Sequence, residues 1–210
     1  MHEKAHSKQT IKLGAPPMIG AFMFPHLFKQ FKDAHPSIDI EIFEHGSSQM
    51  TQFVDDYTLD MAIIILNDLP LSQYNMVHIY DTELLYCTNA ASPFAGLDPV
   101  SLSDIQYSPL ILMKEGSYQN PVIKARFAEQ QLAPNVILYS NQVHTIKNFI
   151  KNDFASAFIL KEALDEQDHS VTIPLSEPMP IQIGLIWKKK IHLSSHALTF
   201  IKFIQKYEFK

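Results

Sequence analysis

Two hydrophobic rhythms alternate along the chain. Unbroken or period-two apolar runs predict strands, and apolar residues three and four apart predict helices. A strand over Thr10–Gly14 runs into Ala15-Pro16-Pro17, where the prolines cannot donate to a ladder and predict a loop. Phe24, Leu27, Phe28 and Phe31 then fall on one helical face opposite Lys29, Gln30 and Lys32, and Pro36 stops the helix. Pro25 lies inside that pattern, so the helix either kinks there or restarts with Pro25 in its first turn. Ile38, Ile40 and Ile42 alternate as a strand, and Glu44–Ser48 turns into a second helix through Met50, Phe53 and Val54, with Ser47 the expected N-cap.

Met61–Leu66 has no polar residue, the pattern of a central parallel strand covered on both faces. Met76–Tyr80 and Glu83–Thr88 predict two more strands. The second half repeats the style. A strand over Leu110–Met113, a loop over Lys114–Ser117, a helix from about Tyr118 to Gln131 and a strand over Val136–Tyr139 follow in order. A helix carrying Val143, Ile146 and Ile150 leads to the unbroken run Ala155–Leu160. Ile181–Trp187 is a further strand, and Ser194 caps a last helix with Ala197, Phe200, Ile201 and Ile204 on one face. Serial strand–helix units in both halves predict an α/β protein of two lobes.

Composition narrows the function. The 210 residues are 46% hydrophobic, enough for a sizeable core. A net charge of -5 argues against this segment gripping a phosphate backbone, which needs clustered Lys and Arg. Cys87 is the only cysteine, which rules out an internal disulfide and a zinc site of thiolates and suits a reducing, cytoplasmic setting. The polar start Met1–Thr10 has no apolar stretch of the kind an export signal needs, and no apolar run is long enough to cross a bilayer, so no membrane partner is expected.

Catalytic motifs are missing: there is no glycine-rich phosphate loop, no serine elbow between glycines and no His-Glu-x-x-His. His2 with His6 and His192 with His196 have the spacing for a metal on one helix, but the first pair lies in a polar terminus and the second straddles a helix cap. Asp55, Asp56 and Asp60 read as a helix end and a strand start. No catalytic residue, metal or cofactor is expected.

Laid end to end, several pieces carry a family resemblance. They are Ile11-Lys12-Leu13-Gly14; Phe24-Pro25-His26-Leu27-Phe28 with Phe31 and His35-Pro36; Glu44-His45-Gly46-Ser47; Leu59-Asp60 before the buried strand; Ser92-Pro93-Phe94-Ala95; Ser101–Ile105; and Phe200–Ile204. In order and spacing they resemble the effector-binding domain of LysR-type transcriptional regulators, over nearly everything from Ile11 onward. The resemblance implies a type 2 periplasmic-binding-protein-like fold, with two Rossmann-like lobes joined by two crossover strands and an effector in the cleft between them. Lobe one would be Thr10–Thr88 plus Lys188–Lys210 and lobe two Asn89–Trp187, with Met1–Gln9 a hinge remnant or disordered. It also implies a homodimer or homotetramer that reaches DNA only through a helix-turn-helix outside this sequence. A solute-binding protein for transport shares the two-lobed fold and stands as the alternative.

Ligands of open α/β sheets sit beyond the carboxyl ends of strands, where helix N-termini favour anions. The expected effector is therefore a small molecule, most simply a carboxylate. Ser47, Ser48 and Ser117 would supply hydrogen bonds, with His45 or Lys114 adding charge. Pro16, Pro17, Gln142, Tyr118 and Phe158 are candidate walls. Met18 stands where many relatives place Ser or Thr to hold a carboxylate, and Asp153-Phe154-Ala155 replaces the family's usual Gly-x-Gly before Ser156; both are departures at the expected site.

Overall fold

The computed structural model describes residues 9–164 and 169–209. Three parallel strands open the fold: β1 (Gln9–Ala15), β2 (Ile38–Glu44) and β3 (Met61–Ile65), with β1 between the other two. Helix α1 (Pro17–Ala34) connects the first pair and α2 (Ser47–Asp55) the second. The long strand β4 (Tyr74–Asn89) follows. Next come α3 (Leu102–Ile105), β5 (Leu110–Leu112), α4 (Gln119–Glu129), β6 (Val136–Tyr139), α5 (Val143–Lys151), β7 (Ser156–Leu160) and β8 (Ser170–Ile173). Strand β9 (Met179–Lys188) and α6 (Ser195–Ile204) bring the chain back to the first three strands.

One sheet threads the whole molecule in the order β2-β1-β3-β9-β4-β7-β5-β6, with β8 beside β4. Strands β4 and β9 are the two crossovers. They pair antiparallel from Tyr74↔Lys188 to Leu84↔Met179, with a register shift between His78 and Tyr80. Strand β9 pairs with β3 at one side, while the second part of β4 pairs with β7 at Leu84–Cys87. The sheet thus passes from one lobe into the other through a two-stranded bridge.

The unbroken run of β3 is explained by cover on both faces. Met61, Ile63 and Ile65 enter the core shared with α1 and α6, while Ala62 and Ile64 pack with Met50 and Val54 of α2. The strand is parallel to β1 but antiparallel to β9, so its surroundings are mixed rather than all parallel. Phe31 anchors α6 through ring centroids 5.0 Å from Phe200 and 5.2 Å from Phe203. Strand β7 is likewise wholly buried, among Ile123, Phe127, Ile146 and Ile150 of α4 and α5.

Four local expectations are corrected and one open alternative is closed. The Ala15–Pro17 segment is barely a loop: Ala15 ends β1, Pro16 is the N-cap of α1 and Pro17 its first residue, where a missing N–H costs nothing. The helix does not restart at Pro25. It runs through that exposed position because Met23, Phe24, Leu27 and Phe31 keep one buried face across it. Gly46, not Ser47, is the N-cap of α2. The two strands expected between Met76 and Thr88 are one, bent at the register shift, and Gln9 already belongs to β1. Strand β8 had no counterpart in the sequence pattern.

A polar knot ties α2 to the bridge. Asp55 accepts from the Tyr74 hydroxyl at 2.9 Å and from Lys188, whose ammonium also lies 5.9 Å from the Tyr74 ring centre. Burial, and then the Asp55 hydrogen bond and charge, push the Tyr74 phenol up to about 12 from 10.0. A phenol whose folded value is raised contributes stability that is complete below the unfolded value and lost as pH rises through the folded one. Wild type is therefore expected to lose stability between pH 10 and about 12 more steeply than Tyr74→Phe in denaturant titrations at each pH. Equal slopes for the two proteins would contradict this.

Candidate functional site

The carboxyl ends of six strands converge between the lobes. Pro16–Met18 follow β1, Gly46–Ser48 follow β2 and Asn67–Leu69 lie just past β3. From the other side come Met113 and Ser117–Gln119 after β5, Asn141 after β6 and Leu160 at the end of β7. This is the place where an open α/β sheet holds ligands.

Backbone meets backbone here. Gly116 sits at φ +86, a left-handed conformation that favours glycine, and its carbonyl accepts from the Ser48 N–H at 3.1 Å. A Cβ on Gly46 would lie 2.4 Å from the Gly116 oxygen, so only a hydrogen fits. That close approach explains why glycine occupies the cap. The amino end of α2, where unpaired N–H groups and the helix dipole favour an electron-rich partner, is thus met by a carbonyl of the opposite lobe.

Met18 makes the second contact across the cleft. Its sulfur lies 3.2 Å from Gln119 Nε2 and 3.4 Å from the Leu160 N–H, and Met18 and Gln119 are both almost fully buried. A thioether is a weak acceptor for two N–H donors. Only about 20 Å³ of space remains beside it, between the prolines, Ser47, Ser117 and Tyr118. Sharing Ser47, Ile65, Ser117 and Tyr118 with that space is a larger cavity of about 280 Å³, which extends over Ser48, Thr51, Asn67, Asp68 and Pro121.

Of the eleven residues singled out in the sequence, the structure brings Pro16, Pro17, Met18, Ser47, Ser48, Ser117 and Tyr118 to these two spaces. Ser117 is buried, and its hydroxyl oxygen accepts from the Asn120 N–H at the start of α4. The other four lie elsewhere. His45 is exposed, with its ring edge-on to Phe53. Lys114 is exposed, and its N–H donates to Asn141 Oδ1. Gln142 caps α5 and lines a separate groove between α1 and α5, where its side chain accepts from Thr145. Phe158 is core, 6.0 Å from the ring of Tyr86. Ser156 is core as well, bonded through its hydroxyl to Tyr86 and Thr88.

Sequence reasoning missed Gln119, Asn67, Asp68 and Leu160. The strand-end rule that points to Ser47 applies equally past β3, where no α-helix follows to mark the place. Asn67 braces the bridge, donating to the Pro180 carbonyl and accepting from the Gln182 N–H. The phenol of Tyr118 is raised by burial and then by the charge of Asp68. Among the described residues no group of three or more His, Cys, Asp or Glu is placed to hold a metal ion, and no helix is long and apolar enough to cross a membrane. The His2 and His6 pair lies outside the described residues.

Two sheet halves, a two-stranded bridge and a cleft at the strand ends define a type 2 periplasmic-binding-protein-like fold. More particularly, the LysR substrate binding domain matches residues 4–208, and the chain belongs to that family. An uncharacterized HTH-type transcriptional regulator of Bacillus subtilis, YwbI, is 23% identical over 206 residues, covering 95% of this chain and 67% of its own length. A probable RuBisCO transcriptional regulator of Thalassiosira pseudonana is 23% identical, over 82% of this chain and 58% of its own. The chain therefore spans 58 to 67% of the length of these relatives. Among solved structures, the effector binding domain of QuiR in complex with shikimate superposes with TM-score 0.81 at 20% identity, covering 96% of this chain and 97% of that one. The CcmR regulatory domain of Synechocystis in complex with 2-PG gives 0.84 at 15%, covering 94% and 96%. The two curated relatives carry the names of transcriptional regulators, and the two solved domains are an effector-binding and a regulatory domain, each in complex with a small molecule.

Proposed function

We propose that this domain is the sensor of a cytoplasmic, DNA-binding transcriptional regulator and that its effector is a small molecule with a carboxylate, held in the inter-lobe cleft. The supporting observation is the Ser48 N–H to Gly116 carbonyl bond across the cleft: the amino end of α2 already takes an oxygen acceptor from the other lobe. An effector carboxylate offers the same acceptor with a full charge, and such ends favour anions. Ser47, Ser48 and Ser117 line the adjoining cavity and would supply hydroxyls, with Pro16, Pro17, Met18 and Tyr118 as walls.

In this reading the effector exchanges one lobe contact for another. Because a ligand shifts an equilibrium only by its differential affinity for two states, replacing the Gly116 carbonyl is the step that couples binding to lobe arrangement. The lobes, read as Thr10–Thr88 with Lys188–Lys210 and as Asn89–Trp187, pass that change to a helix-turn-helix in the whole protein, assembled as a homodimer or homotetramer. The names of the relatives favour this over a transport protein.

A thermal-shift screen of small carboxylates, including pyruvate, acetate, citrate and aromatic acids, tests the reading, since a ligand bound only by the folded state raises its stability. At least one acid is expected to raise the melting midpoint. Ser47→Ala and Ser117→Ala should each weaken its binding by roughly tenfold to a hundredfold, the loss of one hydrogen bond to a charged group. Unchanged affinity in both variants would move the site elsewhere.

A further inference from the structure

The one charge that lines the cleft asks for more of the effector than a carboxylate. Asp68 is the one charged side chain among the residues lining the 280 Å³ cavity and the small space beside Met18. No Lys, Arg or His lines either of them, and Asp68 takes part in none of the ion pairs formed among the described residues. The two cations that the sequence offered, His45 and Lys114, are exposed outside that lining. Asp68 lies just past β3 in one lobe, and the Tyr118 phenol that feels its charge lies at the start of α4 in the other. The carboxylate and the phenol therefore flank the cavity from opposite lobes.

A purely anionic effector entering this space would meet the Asp68 carboxylate with no cation in the lining to offset it, so it should bind less well than a zwitterion of the same shape. A ligand carrying an ammonium group would instead form a charge-assisted hydrogen bond to Asp68 and could also donate to the neutral Tyr118 hydroxyl. The volume lies at the small end of ligand sites, of order 300–1,000 Å³. We infer that the effector is a small zwitterion of amino-acid type, with its ammonium group on Asp68 and its carboxylate toward Ser47, Ser48 and Ser117. The placement of the carboxylate rests on the proposed function above; that of the ammonium does not.

The two halves separate experimentally. The 210-residue domain is screened by thermal shift, and the hits by calorimetry, against L-amino acids, the matching 2-hydroxy acids and the matching amino-acid amides. Amino acids are expected to stabilise most. Asp68→Asn should weaken the best of them by roughly tenfold, as losing a charged hydrogen-bond partner does, and should leave the matching hydroxy acid unchanged or tighter. That variant keeps the fold, because Asp68 is exposed and its φ of +60 suits asparagine as well as aspartate. Hydroxy acids binding as tightly as amino acids, or equal losses for both on Asp68→Asn, would overturn the ammonium site and leave the carboxylate site standing. Amides binding as well as amino acids while hydroxy acids fail would remove the carboxylate contact and keep Asp68. No stabilisation by any of the three classes would overturn both.

Discussion

A Phe31→Ala variant is expected to lose about 3–5 kcal/mol of stability, the usual cost of emptying a fully buried phenylalanine site. Phe31 is 0% exposed and sits between α1 and α6, edge-on to Phe200 and Phe203 and 5.1 Å from the His35 ring. No neighbouring side chain is free to fill the gap, since Phe200 is itself fully buried and Phe203 already packs on Tyr207. The lost ring also holds α6, so the midpoint of urea denaturation should fall strongly. A loss below about 1 kcal/mol would mean that α6 is held mainly elsewhere.

Gly46→Ala is expected to act on the cleft. The added Cβ would stand 2.4 Å from the Gly116 oxygen and 2.6 Å from its carbonyl carbon. Both are backbone atoms, so no rotamer change relieves the clash and the lobes must separate locally. Overpacking of this kind costs roughly 1–3 kcal/mol, and each kcal/mol lowers the melting midpoint of a domain this size by about 2–4 °C. The Ser48 to Gly116 hydrogen bond should break with it, seen as faster amide exchange at Ser48. An unchanged melting midpoint together with a still protected Ser48 amide would show that the contact is slack.

How much of this was legible in the chain depends on which physical rule governed each part. The strands with both faces covered, Met61–Ile65 and Ser156–Leu160, announced themselves because burial on two sides admits no charged residue and no polar one without a partner. The last helix did so too, since Ser194 caps it through the Ala197 N–H at 3.2 Å and its apolar stripe is one-sided. Long-range pairing decided the rest. Asp81 and Thr82 break the apolar pattern of β4, yet the strand continues because both are paired with β9. Position 46 became the cap of α2 through a neighbour seventy residues away, which no local preference encodes.

The cleft was legible in the same partial way. Knowing that strand ends gather at a crevice found Met18, Ser47, Ser117 and Tyr118. The direction in which each side chain leaves its turn was not recoverable: His45, two residues before Ser47, spends its ring on Phe53. Asp68 escaped because the segment after β3 leads into a turn at Leu71–Gln73 rather than a helix.

The return of the chain through β9 has a consequence for synthesis. Strands β1 to β3 are made first, but one face of their layer is closed by α6, which follows β9. The elements from α3 to β7 are contiguous and can pack as soon as they emerge, whereas the first strands must wait for a partner more than a hundred residues downstream. A nascent chain stalled before Met179 would hold β3 without its β9 neighbour, an unpaired apolar edge of the kind that chaperones bind.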